Sequence, residues 1–163
     1  VWGKSMILYH GSNKVVKYPG VRKTKYSQDF YFGFYGLTNE DLAIRWAARY
    51  GEKGYLNKYE YVQDENLDNL IFPGMTEEWL DFIVASRNGK GHRYDIVEGP
   101  MVDETIYNSI QNFIDGKISR MAFWELVKSQ SPVRQISFHS VSALDTLTFM
   151  GSWKVKAFKN LFD

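Results

Sequence analysis

The stretch ILYHGSN, residues Ile7 to Asn13, reads as an apolar strand that stops on a histidine, a glycine and a hydroxyl residue. No acid or base stands beside it to account for the histidine. Working outward, Met6 to His10 forms a short buried strand and Gly11 to Gln28 a polar loop, with Pro19-Gly20 marking a turn. Phe30 to Leu37, FYFGFYGL, is a second strand signal. Thr38 or Asn39 caps the helix that follows, with Glu40 and Asp41 at its positive end. Leu42, Ala43, Trp46, Ala47 and Tyr50 then recur at helical spacing up to Gly51.

Further along, YLNKYEYV (Tyr55 to Val62) alternates as a strand, and NLIF (Asn69 to Phe72) continues into the stop at Pro73-Gly74. Thr76 caps a helix carrying Trp79, Phe82 and Ile83. YDIVEGP (Tyr94 to Pro100) is a strand, Asp103 caps a helix with Ile106, Ile110, Phe113 and Ile114 on one stripe, and Ser119 begins another with Phe123, Trp124 and Val127. RQISFH (Arg134 to His139) and LTFMGSWKV (Leu147 to Val155) close the chain as strands. There is no repeat and no regular βαβα alternation. The expected class is α+β with a mixed or antiparallel sheet, in a single domain over residues 1–163.

Composition narrows the chemistry. With 44% hydrophobic and 17% aromatic residues the chain is globular, and aromatic side chains should dominate both core and cleft. Its lack of cysteine excludes a disulfide framework, a thiolate zinc site and a cysteine nucleophile, and fits a reducing, cytoplasmic setting. No signal-peptide core and no membrane-length apolar run is present, so the expectation is a soluble protein without a membrane partner. A net charge of +1 conceals an asymmetry. Lys4, Lys14, Lys17, Arg22, Lys23 and Lys25 all precede the first acid, Asp29, whereas Tyr59 to Ser86 holds seven acids and no Lys or Arg. The basic arm reads either as a solvated surface or as an attractor for phosphate, nucleic acid or an acidic partner.

The common catalytic signatures are missing: no GxGxxG, no GxxxxGK[ST], no HExxH and no GxSxG elbow. His10, His92 and His139 are the only histidines and fit no zinc spacing, so no metal is expected.

Three segments together resemble the ADP-ribosyltransferase superfamily, in its poly-ADP-ribose-polymerase and diphtheria-toxin-like branch. The first is YHGS (Tyr9 to Ser12), a strand ending in HG[ST]. The second is GFY (Gly33 to Tyr35), with an aromatic, Trp46, eleven residues beyond the tyrosine. The third is the late strand RQISFH, with Gln135 where that branch has glutamate. Tyr31 and Phe32 before the glycine and Gly36 after the tyrosine are smaller departures. Over Leu8 to Met150 the chain is also similar to an uncharacterised bacterial family reading LYHGS, DFGxGFY, EEWLDF, YDIVxGP and QxxFH.

The resemblance implies a split mixed or antiparallel sheet with flanking helices and an NAD-dependent mono-ADP-ribosyltransferase. It further implies a bacterial toxin or a toxin-antitoxin component, with a macromolecular acceptor, protein or nucleic acid, and a neutralising partner. Such a protein acts in the cytoplasm or is delivered into another cell. NAD is then the substrate. The implied catalytic residues are His10, Tyr35 and Gln135, and the implied NAD-binding residues His10, Gly11, Ser12, Tyr35 and Trp46. His10 would offer a ring N–H to a ribose hydroxyl, Gly11 would meet the carboxamide of nicotinamide through its backbone, and Ser12 would add a hydroxyl contact. Tyr35 and Trp46 would sandwich the cationic ring for about 1–2 kcal/mol.

Arg22 or Lys23 is the expected contact for the pyrophosphate. Gln135 keeps the hydrogen bond of the expected glutamate without its charge, leaving Asp95, Glu98 or Asp103 as alternative sources of that charge. Two other readings stay open: a catalytically inactive NAD- or partner-binding module of the same fold, and a nucleic-acid-binding domain using the basic arm.

Overall fold

A computed structural model describes residues 4–21, 29–101 and 104–155, with the side chains of residues 104 and 105 excepted. In chain order its elements are β1 (Ser5–Ser12), β2 (Phe34–Leu37), α1 (Glu40–Ala48), a 3-10 turn (Gly51–Lys53), β3 (Tyr55–Val62), β4 (Asn69–Ile71), α2 (Glu77–Arg87), β5 (Ile96–Pro100), α3 (Glu104–Ile114), α4 (Arg120–Val127), β6 (Arg134–Phe138), α5 (Val141–Leu144) and β7 (Leu147–Lys154). The seven strands form one mixed sheet in the order β4-β5-β6-β2-β1-β3-β7, which is the α+β architecture expected from the sequence. β4 and β5 run parallel, bridged by α2, and every other neighbouring pair is antiparallel.

Local chemistry starts the helices where the sequence placed them. The Asn39 side chain accepts from Leu42 N, Thr76 from Trp79 N and Ser119 from Ala122 N, each satisfying a backbone donor that has no partner within its helix. The expected cap Asp103 lies outside the described residues. The four-residue α5, with Ser140 capping Ala143 N, supplies a helical turn between β6 and β7.

Apolar burial divides into three packed groups. Phe30, Phe72, Trp79, Leu80, Ile83, Val97, Ile106, Ile110, Phe123 and Val127 bind α2, α3 and α4 to the β4–β5 side of the sheet. Leu8, Phe34, Tyr59, Tyr61, Ile96, Ile136, Phe138 and Ala143 fill the other face. Ala43, Ile44 and Ala47 seat α1 on Leu37 and Leu56. At roughly 1.5–3 kcal/mol for each large buried side chain, these contacts dominate the fold. Trp79, fully buried, keeps its indole N–H satisfied by Pro100 O at 3.2 Å.

Two expectations shift. The second strand begins at Phe34 rather than Phe30, because Tyr31 has φ of 75°, a left-handed conformation that breaks the extended run. The apolar stripe of α1 is Ala43, Ile44 and Ala47, while Trp46 and Tyr50 face solvent.

Candidate functional site

The sheet loosens where ILYHGSN ends. The ladder between β1 and β2 registers only Tyr9 with Leu37. Beyond that pair β1 continues against β3 as far as Ser12 opposite Tyr55, while β2 is held by β6, Tyr35 opposite Ser137. His10 stands at this gap. Its Nδ1 lies 2.7 Å from the Tyr35 carbonyl oxygen. A carbonyl only accepts, so the ring donates from Nδ1 in place of a strand-to-strand ladder bond. Burial pulls the imidazole pKa down to about 4, opposed by the bond to Tyr35. His10 is therefore neutral at pH 7 and its Nε2 carries a lone pair. The ring N–H foreseen for a ribose hydroxyl is already used; what remains at Nε2 is an acceptor, which a hydroxyl can satisfy equally well.

Tyr35 is anchored at its far end. Its hydroxyl accepts from Phe30 N at 2.9 Å and donates to Tyr31 O at 2.5 Å. Burial, and then the negative charge of Asp29, push its ionisation well above the usual tyrosine range. The ring lies against Phe30, with centroids 6.4 Å apart, and meets His139 edge-on at 6.2 Å. The loop it grips is satisfied by side chains throughout. His92 Nε2 donates to Phe30 O at 2.8 Å, Tyr35 to Tyr31 O, and His139 Nδ1 to Phe32 O at 2.7 Å. A Cβ on Gly33 would lie 2.8 Å from both His139 Nδ1 and Phe138 O, so only glycine lets this loop approach β6 so closely.

Gly11 serves packing as well as any ligand. A Cβ there would come within 2.5 Å of Ala43 O and 2.8 Å of Ala47 N, so the missing side chain is what seats α1 on β1. Ser12 is partly exposed at the end of the strand. Trp46 is 38% exposed, and the Arg49 guanidinium covers its ring at 4.0 Å. Among the described residues no ring contact joins Trp46 to Tyr35; the two aromatics flank no closed slot in this structure.

Gln135 is 4% exposed on β6, opposite Leu37 of β2 and Gly99 of β5. Registration puts Tyr9, Leu37 and Gln135 on one face of the sheet, whereas His10 lies beside Phe34 on the other, with ring centroids 4.3 Å apart. The two faces communicate at the gap, through the His10 bond to the Tyr35 backbone.

The acids considered for the missing charge are occupied elsewhere. Glu98 is paired with Arg134, whose Nη2 and Nε lie 2.7 and 3.1 Å away. Asp95 accepts from Ser140 Oγ at 2.6 Å and from Asp68 N at 2.9 Å. Asp103, like Arg22 and Lys23, lies outside the described residues. The carboxylate that does meet Gln135 is Asp29, whose Oδ2 accepts from Gln135 Nε2 at 2.8 Å. Sequence reasoning passed over it, although it is the first acid of the chain and stands directly before the FYFGFYGL run.

Among the described residues no three His, Asp or Glu side chains cluster as metal ligands, and no helix is long and apolar enough to cross a membrane. No curated protein matches the chain. Residues 6–149, nearly the span over which the motifs were read, match the family described as "Protein of unknown function (DUF3990)", and the chain belongs to that family.

Proposed function

We propose that this protein is an NAD-dependent mono-ADP-ribosyltransferase that moves ADP-ribose to a macromolecular acceptor and releases nicotinamide. The observation that carries the reading is the gap between β1 and β2, with His10 held across it by its bond to the Tyr35 carbonyl and kept neutral by burial. The resemblance of YHGS, GFY and the late RQISFH strand to the ADP-ribosyltransferase motifs supports it from the sequence.

In this reading His10 Nε2 accepts from a ribose hydroxyl, the pinned Tyr35 ring offers a rigid aromatic wall, and the exposed Trp46 supplies a movable one. The C1′–N bond breaks with its electron pair leaving on nicotinamide. The acceptor atom bonds to C1′ and its proton passes to solvent. Charge at the developing oxocarbenium centre favours a nearby carboxylate. The acceptor, protein or nucleic acid, and a neutralising antitoxin are the partners this reading brings, in the cytoplasm of the producing cell or of a recipient.

The test is incubation of the purified protein with NAD and cell lysate, reading nicotinamide release and labelled macromolecules by mass spectrometry. Release that His10→Ala abolishes is expected. The absence of release, labelling and NAD binding would end the reading. A second reading is an NAD-binding module without turnover, favoured by the neutral side chain at Gln135. NAD binding without nicotinamide release would select it.

A further inference from the structure

A carboxylate has no proton to give at neutral pH, so the 2.8 Å contact between Asp29 Oδ2 and Gln135 fixes the orientation of the Gln135 amide. The NH2 group faces Asp29 and the carbonyl oxygen, Oε1, faces away. Among the described residues Oε1 has no hydrogen-bond partner. Asp29 itself keeps some contact with solvent, its side chain being 13% exposed. Arg87, buried to 3% side-chain exposure, brings Nη2 to 3.8 Å from Asp29 Oδ1, close enough to attract but too long for a hydrogen bond. Arg87 Nε and Nη2 have no hydrogen-bond partner, so the pair is not a bidentate bridge and Asp29 remains a carboxylate shared with Gln135.

We propose that Asp29 and Gln135 together replace the single carboxylate of the transferase reading: Gln135 Oε1 receives the ribose hydroxyl, and Asp29, as the positioning residue, orients the amide and sets a negative charge behind it. This rests on the NAD-cleaving function proposed above. Asp29 exchanges no proton in the step. The C1′–N electron pair still leaves on nicotinamide and the acceptor's proton still passes to solvent.

The experiment compares nicotinamide release, NAD affinity by calorimetry and thermal melting for the wild type, Asp29→Asn, Asp29→Asn with Gln135→Glu, and Asp29→Asn with Arg87→Met. The last variant removes the buried cation together with its partner, in case the single change fails to fold. Asp29→Asn is expected to lower kcat about 100-fold while KM changes less than about threefold, and adding Gln135→Glu should recover at least about tenfold, because the charge returns one residue closer. A purely structural Asp29 would lower the melting temperature without that rescue. Wild-type kcat in a folded Asp29→Asn or Asp29→Asn/Arg87→Met protein overturns the inference and leaves the transferase reading standing. If the wild type neither binds nor cleaves NAD, the transferase reading fails and the inference falls with it.

Discussion

At single positions the structure separates what a residue does for packing from what it offers a ligand. Gly11 sits under α1, where a methyl group would overlap Ala43 O at 2.5 Å. Gly11→Ala is therefore expected to cost at least about 1–3 kcal/mol through forced repacking, read as a lowered thermal midpoint. Gly20→Ala, with nothing within 4 Å of the new carbon, should leave the midpoint in place and serves as the control. Trp46 is the opposite case. At 38% exposure, with Arg49 across its ring, it lies outside the packed core, so Trp46→Ala should move stability by less than about 0.5 kcal/mol. If its ring stacks on nicotinamide, the same change weakens NAD binding by about 1–2 kcal/mol, measurable by calorimetry. Unchanged affinity would remove Trp46 from the site and leave His10 and Tyr35 to be judged separately.

Elements were legible in proportion to how local their causes are. Asn39, Thr76 and Ser119 announce their helices because the capping bond spans three residues, and all three caps form. Asn39→Ala should cost about 1 kcal/mol and lower the midpoint by about 2–4 °C, as followed by circular dichroism. YLNKYEYV likewise marks β3 at both ends. The run Phe30 to Gly33 deceived because its aromatic composition suits a strand, yet its carbonyls are claimed by His92, Tyr35 and His139, two of them distant in sequence. The stripe on α1 misled for a related reason. Small alanines, not the large Trp46 and Tyr50, are what a helix needs against a bare glycine strand. Within the site, His10, Tyr35 and Gln135 could be named from motifs, but Asp29 could not, since its partner Gln135 is 106 residues away.

Across the whole molecule the three histidines share one task, donating an N–H to a carbonyl at or beside the β2 entry: His10 to Tyr35, His92 to Phe30 and His139 to Phe32. All three are held neutral. Burial lowers His10 and His139 to about 4, and lowers His92 as well, in each case against the pull of the carbonyl bond. The unfolded chain, with histidine near pH 6.5, binds more protons than the native one between about pH 6.5 and pH 4. Stability from these groups is thus fully present above pH 6.5 and is lost progressively as the pH falls toward 4. Each of the two strongest shifts corresponds to about 3 kcal/mol, so together they rival the roughly 5–15 kcal/mol stability of a typical domain. Asp95, held low by Ser140 and Asp68, acts in a separate window, its contribution disappearing only below about pH 4. Protonating His139 would also set a charge against His92, whose ring centre is 4.4 Å away, which makes the loss steeper. The expected outcome is a thermal midpoint that falls markedly between pH 7 and pH 4.5. In His139→Asn, where an amide N–H can reach Phe32 O without titrating, that fall should be shallower by the share of one histidine. Equal slopes in the two proteins would mean that the buried histidines do not govern acid stability.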